Sequence, residues 1–99
     1  MTKCLIKIKD KYFEWSTVSD SPITYGMSKT ELRDHIKEEY GNDGIDALPK
    51  RLKRISINGT SAIGETLSET TSVNRAGESE TCITIQQIYD RYKIKKEDV

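Results

Sequence analysis

The stretch Cys4-Leu5-Ile6-Lys7-Ile8-Lys9-Asp10-Lys11-Tyr12-Phe13-Glu14-Trp15-Ser16 decides the fold. Cys4, Ile6 and Ile8 alternate with Leu5, Lys7 and Lys9, which is the period of a half-buried strand. Tyr12 to Ser16 favour extended backbone, and Asp10-Lys11 between the two runs fits a tight connection, so a β-hairpin is expected. Its pleat puts Phe13 and Trp15 on one side and Tyr12 and Glu14 on the other. A lone hairpin is barely stable in water, so a third strand is needed.

Thr17 to Gly26, with Pro22 and several hydroxyl residues, reads as a loop. Ser28-Lys29-Thr30-Glu31 is a capping box with Met27 as its staple, and the helix it opens runs to about Tyr40, burying Leu32, Ile36 and Tyr40, with Gly41 as its left-handed stop. Asn42-Asp43-Gly44 reads as a turn, Ile45, Leu48 and Leu52 as a short helix with Pro49 near its start, and Leu52 to Asn58 as the third strand, carried by Ile55 and Ile57. Thr60 to Gly77 reads as a short helix around Glu65 to Asn74 or a partly ordered excursion. A second capping box, Thr84-Ile85-Gln86-Gln87, begins an amphipathic helix with Ile85, Ile88, Tyr89 and Tyr92 on one face. The expected fold is α+β: a small antiparallel sheet, the N-terminal hairpin plus a third strand, packed with two amphipathic helices. Residues 1–92 form one domain and 93–99 a charged tail that frays.

Composition narrows the function. The 99 residues carry 16 Lys+Arg against 16 Asp+Glu and are 34% hydrophobic, which limits the chain to one domain with one thin core and excludes a large enzyme or a generally basic binder. No apolar run approaches the roughly 20 residues of a membrane span and the start lacks a signal-peptide stretch, so a cytoplasmic protein with no membrane partner is expected. Cys4 and Cys82 read as two buried thiols, with a disulfide left open. His35, the one histidine, lacks the companions of a zinc site, and Glu31 and Glu39 one turn away suggest exposed ion pairing. No metal, cofactor or catalytic set is expected, and the chain reads as a non-enzyme.

Two polar segments are the candidate sites. In the first, Trp15 and Tyr25 offer faces for stacking a ring while Ser16, Thr17, Asp20 and Thr24 orient it. In the second, Arg75 presents a guanidinium fork to phosphate or carboxylate, with Asn74 and Thr71 beside it. Against these stand plainer roles: a core indole, turn-forming hydroxyls and an ordinary helix end. The basic run Lys50, Arg51, Lys53 and Arg54 is a third candidate, for nucleic acid.

The runs Lys11-Tyr12-Phe13-Glu14-Trp15-Ser16-Thr17-Val18, Asp20-Ser21-Pro22-Ile23-Thr24-Tyr25-Gly26-Met27 and Asn74-Arg75-Ala76-Gly77 resemble those of small, largely uncharacterised accessory proteins of bacteriophages. The resemblance implies an anti-defence role in the host cell as a stoichiometric binder. The leading expectation is a homo-oligomeric module sequestering a small anionic, nucleotide-like ligand. A protein inhibitor of a host defence factor, docking through the helix from Lys29 to Tyr40, and a nucleic-acid-binding regulator using Lys50 to Arg54 are the alternatives.

Overall fold

The structure is a computed structural model that describes residues 3–94. The hairpin forms where the alternation puts it: β1 (Lys3–Ile8) and β2 (Lys11–Ser16) pair antiparallel, with Ile6 opposite Phe13 and Leu5 opposite Glu14. A short β3 (Ser21–Pro22) pairs with the end of β2 and completes a three-stranded antiparallel sheet of order β1-β2-β3. With its helices this is an α+β fold.

The third strand is therefore not where the sequence suggested. Leu52 to Asn58 belong to α1 (Lys29–Asn58). Leu48, Leu52 and Ile55 fall at i, i+4 and i+7, a helical stripe that packs on the sheet. Ile57, on which the alternation relied, lies off that stripe and is 71% exposed. Asn42-Asp43-Gly44 is likewise helical and not a turn. Gly41 does interrupt the helix, at φ 66° and ψ −154°, a conformation essentially confined to glycine. The chain resumes helix at once, so α1 is bent into halves 29–40 and 42–58. Gly44 lets the halves approach: a Cβ there would lie 2.6 Å from Cβ of Tyr40 and 2.9 Å from Cγ2 of Ile36.

Both capping boxes form. The Ser28 hydroxyl accepts from the Glu31 N–H while the Glu31 carboxylate accepts from the Ser28 N–H, which holds that carboxyl below its ordinary range. Thr84 and Gln87 do the same at the start of α3 (Ile85–Tyr92). Between them, residues 60–77 hold one short helix, α2 (Leu67–Thr71), capped by Thr66 and Glu69.

The strands are covered on both faces, not one. Cys4, Ile6, Ile8, Phe13 and Trp15 pack against Ala76 and Ile88, with Leu67, Ile85, Tyr89 and Tyr92 around them. On the opposite face Leu5 meets Leu32, Ile36, Leu48 and Ile55 of α1. The outer edge of β1 is closed as well, because the Lys7 N–H donates to the Gly59 carbonyl (2.9 Å) and the Ser61 N–H to the Leu5 carbonyl (2.8 Å). α3 is tied down by the Gly26 N–H donating to the Tyr92 carbonyl and by the Tyr89 hydroxyl donating to Asp10. Both cysteines are free thiols; Cys4 is buried, but Cys82 is exposed, its thiol donating weakly to the Ser72 carbonyl at the end of α2. Among the described residues no helix is long and apolar enough to cross a membrane. Of the expected tail, 95–99 lie outside the described residues.

Alanine at Gly41 forces a side chain into the glycine-only region or straightens the bend. Gly41→Ala is expected to lower stability by about 1–3 kcal/mol in urea unfolding followed by circular dichroism.

Candidate functional site

The two polar segments do meet, but as a clasp. The Arg75 N–H donates to the Asp20 carbonyl (2.8 Å), its Nη2 donates to the Val18 carbonyl (2.6 Å), and its Nε lies 3.6 Å from the Asp20 carboxylate. Asn74 is buried, with Nδ2 donating to the Thr71 and Ile83 carbonyls and Oδ1 accepting from the Ala76 and Ile83 N–H groups. Thr71, also buried, donates to the Leu67 carbonyl one turn back. These groups are occupied by the chain itself.

The first segment is similar. Trp15 is 0% exposed within the core, and its Nε1 has no hydrogen-bond partner among the described residues. The expectation that its face stacks on a ligand is thus corrected: the position faces the covered side of β2, and burial of so large an apolar ring outweighs one unpaired N–H. Ser16 is buried and accepts from the Val18 and Ser19 N–H groups, and the Thr24 hydroxyl accepts from the Glu14 N–H. Tyr25 remains part-exposed, tilted against Tyr92 with ring centroids 6.4 Å apart. Thr17 lines a concavity together with Lys3, Arg51 and Arg54.

The larger concavity is elsewhere. A cleft of about 650 Å³ opens between the start of β1, the middle of β2 and the 42–58 half of α1. Lys3, Lys50, Arg51 and Arg54 surround it, against the carboxylates of Glu14 and Asp43, while Gly44 and Ala47 leave room along one wall. A hollow of about 300 Å³ adjoins it, sharing Lys3, Arg51 and Arg54 and adding Thr17, Ser61 and Glu65. Arg54 is oriented by donating from Nε to the Ser61 carbonyl (2.8 Å). Partial burial draws Arg51 below its ordinary pKa, opposed by the Glu14 carboxylate, and a guanidinium stays charged regardless.

Glu14 forms the floor. It is 2% exposed because it shares the pleat face of Leu5 and Tyr12, which α1 covers. Its Oε1 lies 2.8 Å from Nε2 of His35, and its Oε2 accepts from the Tyr40 hydroxyl. The histidine is therefore not an exposed partner of Glu31 and Glu39 but reaches across to the sheet. Tyr40, expected in the core, is 40% exposed and lines the cleft, its hydroxyl turned to the buried Glu14. Burial, then the bond to Glu14, pushes its phenol up to about 12. Two signals for this site were present in the sequence: a lone carboxylate inside a strand of aromatics, and the spacing of Arg51 and Arg54 by one helical turn. Among the described residues no group of three His, Cys, Asp or Glu side chains is arranged to hold a metal ion. The chain matches no protein-family model, no curated protein and no solved structure.

Asn74→Ala leaves several buried backbone groups without partners and is expected to destabilise the fold by about 3 kcal/mol in urea unfolding. Tyr40→Phe removes a bond to a buried carboxylate, a loss of about 1–2 kcal/mol at neutral pH. An unfolded phenol ionises near pH 10, so the contribution of Tyr40 is complete below about pH 10. It is lost as pH rises through about 12, the folded value. Unfolding curves at a series of pH values should show the difference between parent and Tyr40→Phe shrinking across that window.

Proposed function

We propose that the protein is a non-enzymatic binding module whose ligand is a small, ring-bearing anion of the nucleotide kind, held in the cleft beside Arg51. The observation that carries this reading is the charge arrangement: four cationic side chains surround one concavity whose floor acid already has His35 and Tyr40 as partners. Among the described residues Lys3, Lys50 and Arg51 form no ion pair. The volume falls within the roughly 300–1,000 Å³ of small-molecule sites. Guanidinium forks suit phosphate oxygens, and the Tyr40 ring supplies an aromatic wall. The cleft is open-sided, so a second copy closing over it fits the same reading, as does the sequestering role that the phage resemblance implies. The Arg75 region is then a structural clasp and not the ligand site.

The same cations also favour a second reading, nucleic-acid binding along the 42–58 half of α1, where Lys53 extends the row. The two separate by salt and by size. Calorimetry with ADP, ATP and a dinucleoside pyrophosphate should give saturable binding. Arg51→Ala or Arg54→Ala should weaken it about tenfold with the circular dichroism spectrum unchanged, the scale of one charge-assisted contact. Arg75→Ala should leave affinity unchanged. Binding of duplex DNA with a steep salt dependence and none of nucleotides would establish the second reading. Nucleotide binding lost in Arg75→Ala and kept in Arg51→Ala would return the site to the clasp.

A further inference from the structure

We propose that His35 couples the cleft's affinity for anions to pH, acting through Glu14 and without touching the ligand; this rests on the cleft being the ligand site. The geometry is a relay. Glu14 and Tyr40 line the cleft, whereas the His35 ring lies behind them on α1, its side chain 23% exposed and its Nε2 2.8 Å from Oε1 of Glu14. Imidazole gains and loses its charge within about pH 5–8. When the ring is neutral, its N–H donates to Glu14, and the carboxylate still offsets part of the positive field that Lys3, Arg51 and Arg54 present to a ligand. When the ring is protonated, a positive charge next to that carboxylate cancels it as seen from the cleft, and an anion is held more tightly.

The charged and titratable groups around this pair are Tyr40 on the same half of α1, Asp43, Lys50, Arg51 and Arg54 on the other half, and Lys3 on β1, with Cys4 on the opposite face of the sheet. Glu31 and Glu39 lie one turn from His35 on its own helix. Tyr40 is pushed up to about 12, and burial raises the Cys4 thiol above its ordinary value, so neither gains charge below pH 8. Coupling of two binding events is reciprocal, so a bound anion must also favour the protonated ring.

The test uses the full chain and a dinucleoside pyrophosphate, whose phosphates keep constant charge over the range. Affinity should rise roughly five- to tenfold from pH 7.5 to pH 5.5, the lower part of the usual range for coupled sites. His35→Gln keeps a donor to Glu14 but cannot titrate, so it should bind like the parent at pH 7.5 and lose the rise. Independently, the His35 ring followed by NMR in the unmodified protein should titrate at higher pH when the ligand is saturating. Equal pH slopes in parent and His35→Gln, or a His35 midpoint that the ligand does not move, overturn the coupling while leaving the cleft as the site. Absence of binding at every pH overturns both.

Discussion

A carboxylate withdrawn from water inside a sheet destabilises a small fold by several kcal/mol unless other groups meet it, and Glu14 is such a carboxylate. The pleat sends it to the face that α1 covers, and α1 answers with His35 and Tyr40, less than two turns apart. Arg51, from the other half of the same helix, reaches its vicinity only because the helix bends at Gly41. The hairpin register, the bend and the composition of the cleft are thus mutually dependent. Moving any of them would leave a buried charge without partners.

Local rules were readable where the deciding interactions lie within a few residues. The hairpin, both capping boxes and the apolar face of α3 follow from alternation, side-chain oxygens and helical spacing. The 42–58 half of α1 was not readable in the same way. Ile55 and Ile57 suggest a strand to a short window, and only the longer spacing back to Leu48 shows the helix. The third strand was missed for a related reason, since two residues beginning in a proline-bearing loop carry no periodicity and owe their pairing to β2.

The candidate site divides along the same line. The aromatic and guanidinium groups that looked suited to a guest are used by the chain: Trp15 fills the core, Asn74 satisfies four backbone groups, and Arg75 joins two loops. Sequence shows what a side chain is able to bind but not which neighbour reaches it first. Glu14 is the reverse case, a polar residue placed on one face of the hairpin by the alternation, whose role appears only once α1 is laid over it. The basic run at Lys50 to Arg54 was legible as a cluster, but its concavity needs Lys3 and Tyr40, brought in from distant parts of the chain.

The closed outer edge of β1 bears on how the protein is made. The hairpin is complete in the first sixteen residues, yet the backbone groups of Lys7 and Leu5 are satisfied only by Gly59 and Ser61, more than fifty positions later. During synthesis an unpaired strand edge stays available to other chains until that segment emerges, the condition under which nascent strands mispair. Lys3 and Lys7 on that strand, with Lys9 in the turn that follows it, place positive charge along the edge, which discourages a second, identical edge from docking during the wait.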